Sequence, residues 1–142
     1  MVKQISIFLE NKCGRLVRVT ETLGENQINI RALSIADTSD FGILRIIVDK
    51  ADEAIKILKQ AGFIASETEV IAVQVPDKPG GLATILNYLE EAKINIEYLY
   101  SFIEKPEKDA LILMRVDDIP QALQTLQKKG VKIAEKVPGV NE

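Results

Sequence analysis

The sequence predicts an α+β protein built from two tandem βαββαβ units. Three observations predict it: an internal repeat, a matched change of hydrophobic period in both copies, and a junction too short to be a linker. Sliding the chain by 66 positions lays Ile5–Leu33 on Ile71–Leu99, with Lys12/Lys78, Gly14/Gly80, Leu16/Leu82, Leu23/Leu89 and Ile28-Asn29-Ile30/Ile94-Asn95-Ile96 identical. Further on, the offset becomes 68, pairing Asp49 with Asp117, Ala54 with Ala122, Leu58 with Leu126 and Gly62 with Gly130. The two extra residues fall between Phe102 and Ala110, where a duplicated fold tolerates insertion, in a loop.

Each element follows from local pattern. Ile5, Ile7 and Leu9 alternate with Ser6, Phe8 and Glu10, a period of two that marks a strand. Leu16, Val19 and Leu23 then recur at helical spacing, with Asn26 as the stop. A strand over Ile30–Ala36, a polar turn at Asp37-Thr38-Ser39-Asp40 and a strand over Gly42–Val48 read as a hairpin. Ala51–Ala61 carries Ala54, Ile55 and Leu58 on one face before Gly62, and Ile64 to about Glu69 returns as a strand. The second copy gives strands at Val70–Val75, Ile96–Glu104, Ala110–Val116 and Val131–Val137. Its helices fall at Leu82–Ala92 and Pro120–Lys129, the latter opened by proline in its first turn.

Two βαβ crossovers around a hairpin make a four-stranded antiparallel sheet with both helices on one face, the ferredoxin-like arrangement. Only Glu67-Thr68-Glu69 lies between the copies, so residues 1–69 and 70–142 form closely coupled domains. Copies of about 70 residues are near the lower limit for independent folding, and they should lean on each other. If Ile5, Ile7, Leu44, Ile46 and Val48 face the helices, then Phe8, Ile43, Ile47, Leu111 and Leu113 face away, beside Arg45 and Arg115. So apolar an outer face predicts a homodimer through it.

Composition removes several function classes. A net charge of −3 with 27% charged residues leaves no basic footprint for nucleic acid. No apolar run approaches the roughly 18 residues of a membrane span, and Met1 leads directly into a strand, so a cytoplasmic location is expected. The single Cys13 excludes an internal disulfide, and the absence of histidine removes the commonest metal ligand and acid–base group. No cofactor is expected.

The loop after the first strand is the sharpest motif. It reads Leu9-Glu10-Asn11-Lys12-Cys13-Gly14-Arg15-Leu16 in one copy and Val75-Pro76-Asp77-Lys78-Pro79-Gly80-Gly81-Leu82 in the other. An Asx side chain there can cap free helix N–H groups, and glycine lets backbone approach a ligand or neighbour. A turn alone would explain one such loop; its repetition, with Ile-Asn-Ile downstream both times, weighs toward ligand binding. Asn29 and Asn95 are either turn formers or carboxamides offered to a zwitterion.

Strand, Asp-Lys-Pro-Gly-Gly-Leu, amphipathic helix and Ile-Asn-Ile together resemble the ACT domain, a regulatory module of amino-acid metabolism, and the likeness spans essentially the whole chain as two copies. The resemblance implies side-by-side pairing of the domains into one continuous sheet. It also implies an amino acid held between the first loop of one domain and the second strand of the other. One site would join Asn11, Gly14, Arg15 and Leu16 to Asn95 and Ile96; the other would join Asp77, Gly80, Gly81 and Leu82 to Asn29 and Ile30. Helix N-termini suit the ligand carboxylate, and carboxamide or carboxylate oxygens suit its ammonium. Cys13 stands where the motif has proline, so the sites need not be equivalent.

The implied function is a non-catalytic amino-acid sensor, with a metabolic enzyme as a possible partner. Leu9–Asn29 is also similar to the small subunit of acetohydroxyacid synthase, which gives a regulatory-subunit alternative. An acylphosphatase-like enzyme is a second alternative, and Asn11-Lys12-Cys13-Gly14-Arg15 approximates its phosphate cradle poorly. Tyr98, Tyr100 and Phe102 share a strand face as packing or as a pocket wall. Cys13 is either a small stand-in for proline or a redox-sensitive thiol. Asp40-Phe41-Gly42 matches a kinase motif by letters only, and a hairpin turn explains it.

Overall fold

The computed structural model describes residues 1–37, 40–103 and 109–140. In chain order its elements are β1 (Val2–Glu10), α1 (Arg15–Glu25), β2 (Ile30–Asp37), β3 (Phe41–Val48), α2 (Ala51–Gln60), β4 (Ile64–Pro76), α3 (Gly81–Glu91), β5 (Ile96–Ser101), β6 (Asp109–Val116) and α4 (Ile119–Lys128). They form two compact units, one dominated by residues 3–68 and one by 69–138.

In the N-terminal unit the strand order is β2-β3-β1-β4, antiparallel throughout β1–β3 and β2–β3, with Ile5 opposite Ile46 and Leu33 opposite Ile46 on the other side. Alternation does the sorting: Ile5, Ile7, Leu9, Leu44, Ile46 and Val48 turn toward the helices and are fully or almost fully buried. Val19 and Leu23, one helical turn apart on α1, and Ala54 and Leu58 on α2 complete that core. Asn26 ends α1 as the sequence predicts, and its side-chain Nδ2 donates to the Thr22 carbonyl at 2.8 Å.

The C-terminal unit repeats the plan with the order β4-β6-β5 and a core that includes Ile71, Val73, Ile85, Leu89, Met114 and Leu126. Asp118 caps α4, its Oδ1 accepting from the Gln121 amide at 3.1 Å, and Pro120 sits in the first turn. The shared plan extends to backbone strain, since Gln27 and Lys93, two residues before each asparagine, both adopt left-handed conformations at φ 60° and 59°.

Four expectations need correction. The strands expected to end near Glu69 and to start at Val70 are one strand, β4, because Glu67-Thr68-Glu69 contains no glycine or proline to break it. The strand expected over Val131–Val137 shrinks to a single bridge, Ile133 with Val73, held by the Gln74 amide to the Lys132 carbonyl and the Ala134 amide to the Ala72 carbonyl. Pro138, which has no N–H, closes this segment. The N-cap positions fall not on Asn11 or Asp77 but on Gly14 and Gly80, which have no side chain with which to cap α1 and α3. Finally, Ile47, Leu111 and Leu113 are already buried within the single chain, at 0%, 3% and 0% exposure, so they are unavailable to a second copy. Phe8 and Ile43 do remain exposed. Thr38 and Ser39 of the expected hairpin turn, and Glu104 at the expected strand end, lie outside the described residues.

Candidate ligand-binding site

Each glycine loop is set by its backbone. Gly14 and Gly80 take left-handed φ values of 90° and 83°, which lets β1 and β4 turn sharply into α1 and α3. Gly81 is constrained differently: a Cβ there would lie 2.0 Å from the Pro76 carbonyl oxygen. Arg15, in the matching place of the first copy, follows a strand that ends in Glu10 instead of proline.

The two loops therefore differ in charge. Glu10 reaches over its own loop, with Oε2 at 2.8 Å from Lys12 Nζ and Oε1 at 3.3 Å from Arg15 Nη2. The hydrogen bond from Lys12, then the charges of Lys12 and Arg15, hold its carboxyl below the usual carboxylate value against a small opposing effect of desolvation. Beside this pair is a hollow of about 270 Å³ whose walls include Asn11, Arg15 and Leu16 together with Ile35 and Gly42. Glu10 and Ile35 are wall residues that the sequence reading missed. The strand alternation put Glu10 on the edge of the motif, and a hairpin pairing Ile35 with Leu44 was needed to carry Ile35 there.

Asn29 and Asn95 are placed by a reciprocal brace that the repeat hinted at through Asp49 and Asp117. The Asn29 amide donates to Asp49 Oδ1 at 2.9 Å while the Asp49 amide donates to the Asn29 carbonyl at 3.1 Å. Asn95 and Asp117 make the same two bonds, each at 3.1 Å. The backbone of both asparagines is thus fixed, and their exposed carboxamides have no hydrogen-bond partner among the described residues. Ile30 and Ile96 pack against the helix-side cores, so their side chains serve folding.

Within a unit, loop and asparagine are far apart. The Asn11 amide bonds the Asp40 carbonyl just before β3, whereas Asn29 bonds Asp49 just after it. Eight residues of strand span about 27 Å. A ligand of amino-acid size therefore does not reach both within one unit.

The remaining candidates resolve simply. Cys13 is exposed and free. Tyr100 and Phe102 are buried at 8% and 6% exposure and act as packing. Phe41 and Gly42 begin β3. Among the described residues no group of three His, Cys, Asp or Glu side chains could hold a metal, and no helix is long and apolar enough to cross a membrane.

A duplicated βαββαβ plan with glycine loops at both first helices is the architecture of the ACT domain pair, and the chain belongs to this family, whose model matches residues 1–137. The chain is 42% identical to protein BT0572 from Bacteroides thetaiotaomicron, whose crystal structure superposes with a TM-score of 0.88 over 94% of this chain and 91% of that one. The regulatory subunit of aspartate kinase from Thermus thermophilus shares the fold at 19% identity and a TM-score of 0.64, covering 89% of this chain and 91% of that one. Its counterpart from Thermus flavus shows 17% identity and a TM-score of 0.62, over 89% and 90%.

Proposed function

We propose that this chain is a non-catalytic, cytoplasmic sensor that binds a free amino acid and, through it, regulates an enzyme of amino-acid metabolism. The observation that carries the reading is the repeated pair of a helix start with glycine at its N-cap and an asparagine whose backbone is braced while its carboxamide has no partner among the described residues. Helix-start N–H groups suit a carboxylate, and a carboxamide oxygen suits an ammonium. Those are the two groups common to every amino acid. In this reading Asn11, Gly14, Arg15 and Leu16, and Asp77, Gly80, Gly81 and Leu82, form the carboxylate sides, and Asn29 and Asn95 the ammonium sides. The structural likeness to aspartate kinase regulatory subunits supports a regulatory role, since the same paired fold serves that purpose there. The exposed edge strand β2, with Leu33 and Ile35, is the surface we assign to self-association.

A thermal-shift screen of the twenty amino acids tests the proposal, because a ligand present at a hundred times its dissociation constant stabilises by about 2.7 kcal/mol. Asn29→Ala and Asn95→Ala should each weaken binding of the selected amino acid by about 1.5–3 kcal/mol in calorimetry, with the melting temperature of the free protein nearly unchanged. If no amino acid shifts the transition, the sensor reading fails. If both variants bind normally, the asparagines are turn formers.

A further inference from the structure

Both units have a hollow at the same place in the fold, where the end of the first strand, the start of the first helix and the turn after the second helix converge. In the N-terminal unit Phe8, Phe41, Phe63 and Ile64 line it, with the Phe8 and Phe41 rings stacked at 4.9 Å. Its two charged wall residues, Glu10 and Arg15, are paired with each other. In the C-terminal unit the corresponding walls mix apolar residues, Ile85 and Val131 among them, with several charged ones. A hollow of about 320 Å³ is lined there by Lys78, Lys129 and Lys132, with Asp109, Tyr88 and Thr84.

We propose that this C-terminal hollow is a binding site for a small polyanion carrying phosphate or carboxylate groups. Its volume is that of a small-molecule site. Its charge is unbalanced: Lys129 has the Glu91 carboxylate beside it, but Lys78 and Lys132 share the walls with Asp109 alone, and neither lysine forms an ion pair with a described residue. Lys129 is drawn in by the Tyr88 ring, 5.3 Å from its Nζ, and its carboxylate neighbour Glu91 is 3.9 Å away. Like charges gathered in one concave surface raise the local potential, and an anion entering it relieves their repulsion. The duplication sharpens the point, because the same place in the fold carries three phenylalanines in one copy and three lysines in the other. The hollow shares Gly81 and the loop of Lys78 with the amino-acid site proposed above, whereas Lys129 and Lys132, on the turn after α4, belong to the hollow alone, and the test therefore uses those two.

Calorimetric titration of the full chain at low salt with pyrophosphate and, separately, with citrate tests the site and tells a phosphate from a carboxylate preference. One equivalent of either anion should bind. Joint Lys129→Gln and Lys132→Gln should weaken it at least about tenfold, the loss expected for charged hydrogen bonds. Joint Lys56→Gln and Lys59→Gln, the same charge change on α2, should leave it within about twofold. Asp109→Asn removes the opposing carboxylate and should tighten binding, a gain that misfolding cannot imitate. Absence of saturable binding by both anions overturns the proposal, as does an equal loss in the two lysine pairs.

Discussion

At the residue scale the chain uses carboxylates as local organisers. Asp49 and Asp117 exchange paired hydrogen bonds with the backbone of Asn29 and Asn95, and Glu10 gathers Lys12 and Arg15 over the first glycine loop. Because Lys12 and Arg15 lower the Glu10 pKa in the folded state, its contribution to stability is present above its unfolded pKa and is lost as pH falls through the folded value. The expected outcome in a carbon-13 NMR titration is a Glu10 midpoint below the ordinary 4.5, moving up toward it in Lys12→Ala. A midpoint unaffected by that substitution would reject the loop geometry. The brace on the asparagines was only half legible in sequence. The repeat aligned Asp49 with Asp117, but a bond between residues 20 apart in sequence depends on the hairpin being closed.

At the element scale, helices and strands were readable because side-chain periods of 2 and 3.6 are imposed by local geometry. What escaped was decided by context. Whether two adjacent strands are one depends on the absence of a breaker at Glu67-Thr68-Glu69, and whether Val131–Val137 pairs fully depends on its partner strand β4. Capping also went differently from the Asx rule, because glycines at φ 90° and 83° had already taken the N-cap positions. The Pro76–Gly81 contact gives an element-scale prediction. Gly81→Ala forces a Cβ to within 2.0 Å of a backbone oxygen, and relief requires the loop to move. Urea denaturation should show a loss of about 1–3 kcal/mol. Arg15→Ala, at the matching position of the first copy, has no such overlap and should cost well under about 1 kcal/mol. Equal effects would show that the two loops share one backbone after all.

At the scale of the whole molecule, the edges matter more than the faces. Alternation correctly separated the helix side of the sheet from the other side, yet exposure along a strand also depends on its place in the sheet, which sequence does not display. Ile47, Leu111 and Leu113, expected at a dimer surface, are buried, whereas Leu33 and Ile35 keep 45% and 47% exposure because β2 has a neighbour on one side only. Ile35 shares its hollow with Leu16, itself 40% exposed, so the open edge continues onto the first helix. An apolar edge strand recruits another strand unless something blocks it, and although Arg31 with Gly139 beside it occupies the start of β2, only Ser34 stands between Leu33 and Ile35. A second copy adding its own β2 would satisfy both the backbone and the side chains through an isologous contact. The full chain should therefore sediment as a dimer at micromolar concentration. Leu33→Lys combined with Ile35→Lys should reduce it to monomer while circular dichroism stays unchanged, since both side chains are exposed in the single chain. A wild-type monomer, or a double variant that remains dimeric, would remove β2 as the self-association surface.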